Sequence, residues 1–190
     1  AGESFDALKA AFAMGKALHK EPLLISQLVK VGCNIMAVAG LERCISQTTF
    51  TDGQLAELQR VAQAQEDPDW YYRSMVSERC LTLTEIKKPF REASRINDKG
   101  DTWPEELYSE ASRREIELAL DKAIAAAHLP GLKRHDLLFP LTVKDGTYPA
   151  LEKSTLNGSI GAYRVHDRDT ANLRLSNCGL ALERYYLANK

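Results

Sequence analysis

Residues 22 to 45, PLLISQLVKVGCNIMAVAGLERCI, hold the densest run of apolar side chains in this 190-residue chain. Wound as a helix, the run puts Gln27, Lys30 and Asn34 on one narrow polar stripe. Leu24, Leu28, Val31, Ile35, Val38 and Cys44 cover most of the remaining circumference. So apolar a helix requires other helices around it, and the segment therefore predicts the centre of a helical core. The stretch from Pro22 to Leu41 is also near membrane-spanning length. Lys30 near its middle, with Gln27 and Asn34 beside it, would be costly in lipid, which favours a buried bundle helix.

The rest of the chain supplies the surrounding helices. Residues 3 to 20 read as a first helix, with Ser4 as N-cap and Phe5, Leu8, Phe12 and Gly15 recurring at steps of three and four. It ends at Glu21, and Pro22 fits the first turn of the next helix, so the pair predicts an antiparallel hairpin. After Ile45 the run SQTTFTDG breaks the period. Thr51 or Asp52 then caps a third helix to about Gln65, with Leu55, Leu58 and Ala62 inward. Glu66, Asp67, Pro68 and Asp69 open a fourth, where acidic residues meet the positive end of the helix dipole. Trp70 and Tyr71 stand at its start, and Tyr72, Val76, Cys80 and Leu83 make its apolar stripe; Pro89 ends or kinks it.

Residues 90 to 101 finish in NDKGD, a loop signal, and Thr102 with Trp103, Pro104, Glu105 and Glu106 starts a fifth helix. Its inner side is Ile116, Ala119, Leu120, Ala123, Ile124 and Ala127, and Pro130-Gly131 stops it. From residue 129 to 162 prolines and glycines interrupt the pattern. That length predicts either short helices, for instance near 149 to 156, or a hairpin about Asp145-Gly146, and it is the natural place for a binding loop. The last helix is expected from about Thr170 to Ala188, capped by Asp167 or Asp169. It carries two stripes: Leu175, Cys178, Leu182 and Tyr185, and beside it Leu173, Leu180 and Leu187. The predicted fold is an all-α single domain over 1 to 190. It is a multi-helix bundle or a short array of αα-hairpins with an irregular insertion before the C-terminal helix.

Charge and motifs exclude more than they assign. A formal net charge of −1 supplies no field for phosphate backbones, so no nucleic acid is expected as a partner. The alternating signs from Arg73 to Lys99 read as a solvated helix face. Cys33, Cys44 and Cys178 fall on apolar stripes, where a thiol is inert, and Cys33 and Cys44 lie about 16 Å apart along one helix, too far for a disulfide. His19 and His128 suit the last turns of helices. His135, Asp136, His166 and Asp169 have the ligand chemistry of a metal site and define the alternative reading, a metal-dependent hydrolase with its site in the 135 to 169 region, although no HExxH or Cys/His spacing accompanies them. The chain has no GxSxG elbow, no phosphate-binding GxxxxGK[ST] loop and no GxGxxG. No cofactor, no metal and no catalytic residue is therefore assigned.

Two resemblances bear on the setting. Ala7 to Pro22, with Ala7, Ala11, Ala17-Leu18 and a closing Glu-Pro, looks like the second helix of a tetratricopeptide-type repeat, though no 34-residue period follows. The blocks EPLLISQLV (21 to 29) and LALERYYLAN (180 to 189) resemble a group of uncharacterised bacterial helical proteins that carry an N-terminal membrane segment. That resemblance implies a domain at the bacterial cell envelope or periplasm, with a membrane anchor outside the chain, and brings no activity with it. The expectation is a non-catalytic interaction or scaffolding domain whose partner is another protein. Its surface would be the 129 to 162 region or a groove beside Trp70, Tyr71 and Tyr72. The oligomeric state is not legible.

Overall fold

The computed structural model describes residues 2–86, 110–129, 131–138 and 150–189. Among them are seven helices and no strand, the expected all-α architecture. In order these are α1 (Gly2–Ala17), α2 (Leu24–Gln47), α3 (Asp52–Gln63), α4 (Trp70–Ile86), α5 (Glu110–Ala126), α6 (Gly131–Leu138) and α7 (Ala150–Ala188). The chain divides into two compact units, Ala1–Trp70 with Arg164–Lys190, and Tyr71–Tyr163.

The first unit is built on the α1–α2 hairpin. Leu8 and Phe12 point inward from α1, and the C-terminal half of α2 answers with Ala37, Val38 and Leu41. Thr51 caps α3 through a reciprocal box: its hydroxyl accepts from the Gln54 backbone N–H, and the Gln54 side chain accepts from the Thr51 N–H. That cap aims Leu55, Leu58 and Ala62 at the hairpin, and Leu173 and Leu180 of α7 complete the core. One apolar cluster joins Leu8, Leu41, Phe50, Leu55, Leu58 and Leu180. A second joins Phe12, Ala37, Val38, Ala62 and Leu173.

The second unit takes α4 from Tyr71, α5, α6 and the start of α7. Met75 of α4 is buried; on α5 Ile116, Ala119, Leu120, Ala123 and Ala127 are buried as its period predicts, together with Ala126, while Ile124 is half-buried. Arg134 is buried as well. Its guanidinium stands 5.5 Å from the Tyr71 ring centre and 5.3 Å from that of Tyr163, and it donates to the Leu129 carbonyl at 2.9 Å.

Several element boundaries differ from expectation. Helix α1 begins at Gly2, so Ser4 lies inside it rather than capping it. Pro22 falls outside α2, whose N-cap is the extended Leu23, with no side-chain cap bond. Asp67 and Pro68 form a turn before α4, because the Asp67 carboxylate accepts the Asp69 N–H locally. The 129 to 162 stretch contains α6, and α7 already starts at Ala150. Asp167 and Asp169 are therefore interior to α7. Gly158 and Gly161 each weaken a helix by only about 1 kcal/mol and no proline follows Pro149, so nothing halts it. The suggested hairpin over 141 to 148, the loop over 90 to 101 and the Thr102 start lie outside the described residues.

Candidate interaction surface and buried polar network

Helix α2 is inverted over its N-terminal half. The polar stripe is the buried one: Gln27 and Lys30 are 1% exposed and Asn34 0%, while Ile25, Val29, Ile35 and Met36 face outward, Met36 at 65%. Each inward polar group is held by chemistry from a neighbouring element. Gln27 donates through Nε2 to the Leu18 carbonyl at 2.9 Å and to the Glu21 carbonyl, satisfying acceptors left over at the end of α1 and in the connection. Lys30 Nζ lies 3.3 Å from His19 Nδ1, and His19 Nε2 lies 3.5 Å from Asp67 Oδ2. This geometry fits an imidazole that accepts from the ammonium at Nδ1 and presents its Nε2–H to the carboxylate. Asn34 Nδ2 donates to Asp169 Oδ2 at 3.1 Å, tying α2 to α7.

Asp169 is buried, and that burial pushes its carboxyl up from 3.8 to about 6, against the hydrogen bond from Asn34 and the positive charge of Lys30, which both pull it down. One turn earlier, His166 is also buried. Its ring meets that of Trp70 at 5.1 Å, tilted by 58°, and its Nδ1 lies 3.1 Å from Asp167 Oδ1. The network thus joins the α1–α2 connection, α2, the turn before α4, and α7. Gly15 makes room for it: a Cβ there would stand 2.8 Å from Asn34 Oδ1 and 3.5 Å from Gln65 Oε1. Both of those buried oxygens, with Gln27 Oε1 and Asp169 Oδ1, have no hydrogen-bond partner among the described residues.

The four residues of the metal reading are divided between the two units. His166 and Asp169 are buried in the first unit, Asp136 is exposed on α6 in the second, and the His135 side chain lies outside the described residues. Among the described residues no group of three or more His, Cys, Asp or Glu side chains is placed to hold a metal ion. Trp70 and Tyr71, beside which a groove is expected, are buried; Tyr72 is part-exposed, its ring 4.6 Å from that of His128. All four cysteines are unbridged. Cys33 and Cys44 are half-buried, whereas Cys80 and Cys178 are exposed, contrary to the core-facing placement expected of Cys178.

Cys178 is exposed because α7 buries the other of its two stripes. Leu173 and Leu180 face the core, and Leu175, Cys178, Leu182 and Tyr185 face outward; Leu175, Leu182 and Tyr185 are each about two-thirds exposed. Beside them α2 contributes Ile35 and Ala39, and together the two helices frame a groove of about 190 Å³ lined by Ile35, Val38, Ala39, Glu42, Asn172 and Leu175. This outward face is the feature that sequence reasoning missed. The signal was present: α7 carries two leucine-rich stripes, and a single core needs only one of them. Helix α2 is also long and apolar enough to cross a membrane, by length and composition only. No family model, no curated protein and no solved structure matches this chain.

Proposed function

We propose that the chain is a non-catalytic helical interaction domain at a bacterial cell envelope, and that its docking face is the outward side of α2 and α7. The observation that carries the reading is the row of exposed apolar side chains, Leu175, Leu182 and Tyr185 on α7 with Ile35 and Met36 on α2. Exposed apolar residues scattered singly are ordinary, but the α7 row follows one helix face and meets Ile35 of α2 in the groove at Leu175, which exceeds what a monomer leaves to water without use. The envelope setting rests on the resemblance of blocks 21 to 29 and 180 to 189, and the partner is another protein.

The reading is tested by replacing both Leu175 and Leu182 with glutamate in the full chain. Both side chains lie outside the core, so the change should alter unfolding free energy by no more than about 0.5 kcal/mol per site. The native size of the tagged chain in extracts of its own bacterium should at the same time fall to that of the isolated domain. An unchanged assembly alongside an intact fold would sink the reading.

A further inference from the structure

The outward row of α7 does not begin with leucine. Arg164, Arg168, Ala171, Leu175, Cys178, Leu182 and Tyr185 follow one another at steps of four and three, the spacing of a coiled-coil seam, over about 32 Å of helix. All are exposed, and they lie opposite the side that buries Asp169, Leu173 and Leu180. Arg164 and Arg168 make no ion pair among the described residues, whereas Arg174 and Arg184, off the seam, are held by Glu66 and Asp52 at 3.0 and 2.7 Å. The seam is thus cationic at its N-terminal end and apolar along the rest. Ala171, and the small residues Gly179 and Ala181 that flank the apolar part, allow another helix to come close.

We infer that this seam receives an amphipathic α-helix of a partner protein, with apolar residues at heptad spacing and carboxylates at the end that meets Arg164 and Arg168. The inference rests on the interaction reading above and adds to it the chemistry of the partner. A helix lying in a groove between two helices is read through its anchors at steps of three and four, and the arginine pair fixes which way it points. Opposite charge at one end also distinguishes this occupant from a purely apolar one.

The probe is a pair of synthetic helical peptides with leucine at the seam positions, one ending in two glutamates and its twin in two lysines, titrated into the full chain by fluorescence anisotropy. The acid-ended peptide should bind at least tenfold more tightly than its twin. Arg164→Glu with Arg168→Glu should reverse that preference, and Leu182→Glu should abolish binding of both. Equal binding, or binding of neither, overturns the inference. So does capture of anionic phospholipid vesicles in place of the peptides, or a dimer of the chain itself that Leu182→Glu dissociates. Photo-cross-linking from residue 182 in the cell separates the two levels. An adduct with a protein that presents no acid-ended helix overturns the inference alone, and the absence of any adduct overturns the interaction reading with it.

Discussion

At the level of single residues, Asp169 and Lys30 are the side chains most out of place in a helical core, and each is tolerable because of the other's neighbourhood. Burial raises the Asp169 carboxyl to about 6, so between about pH 4 and pH 6 the folded state holds a proton that the unfolded chain has released. Stability is therefore greatest at the acid end of that window and declines as pH rises through 6, by an amount on the order of 2 to 3 kcal/mol. Asp169→Asn is neutral throughout and should lack this decline; urea unfolding at intervals from pH 4 to pH 8 gives the comparison. If the variant keeps the wild-type slope, Asp169 is not its source. Lys30→Met should act in the opposite direction. It removes the positive charge that pulls the Asp169 carboxyl down, so the decline should extend to higher pH, with a loss at pH 7 of about 3 kcal/mol as for breaking a buried pair. In the double variant the two effects should partly cancel, because neither buried charge is then left alone.

At the level of elements, what the sequence made legible was the existence and type of helices, and what it hid was their rotation. The α5 stripe and the Thr51 cap emerge as read, because each depends on local spacing and on one hydroxyl. Helix α2 could be recognised from its apolar density, yet that density did not select which face turns inward. Its apolar residues surround the helix, so the period does not choose a side, and the choice was made by partners as distant in sequence as His19, Asp67 and Asp169. The same ambiguity governs α7, whose two stripes are alike in composition; only the arrival of Leu8, Leu41 and Leu58 selects Leu180 over Leu182. Gly15 tests whether the α1–α2 crossing is set by the polar network. Alanine at this helical position should by propensity stabilise by roughly 0.5 to 1 kcal/mol. Its Cβ would press on Asn34 Oδ1 at 2.8 Å, and Asn34 cannot withdraw without loosening its bond to Asp169. A net destabilisation of about 1 to 2 kcal/mol is therefore expected in thermal or chemical unfolding. A gain in stability would show that Asn34 is free to move and that the network does not fix the crossing.

At the level of the whole molecule, the first unit is discontinuous, and this decides how it must fold. Its α1–α3 portion is contiguous, but each of its two apolar clusters is completed by a residue of α7 more than a hundred positions away, Leu180 in one and Leu173 in the other. Asp169 adds a polar tie at a sequence separation of 135 from Asn34. Residues 1 to 70 alone would therefore expose Leu8, Leu41, Leu58, Phe12 and Val38 on the side that α7 covers. Losing a covering helix removes on the order of 2 kcal/mol per large apolar side chain returned to water, and a few such losses equal the entire stability of an ordinary domain. A chain ending at Tyr163 should consequently show no cooperative unfolding transition for the first unit, with helicity lost well beyond the fraction contained in residues 164 to 190. A synthetic peptide of residues 164 to 190 added in trans should restore the transition in a concentration-dependent way, because association supplies the same contacts by mass action. The peptide carrying Leu173→Asp and Leu180→Asp should fail to do so, whereas one carrying Leu175→Glu and Leu182→Glu should succeed, since the two stripes divide the work of holding the fold from that of meeting a partner. If the truncated chain unfolds at the wild-type midpoint, or if the two altered peptides behave alike, that division of α7 into an inward and an outward face is wrong.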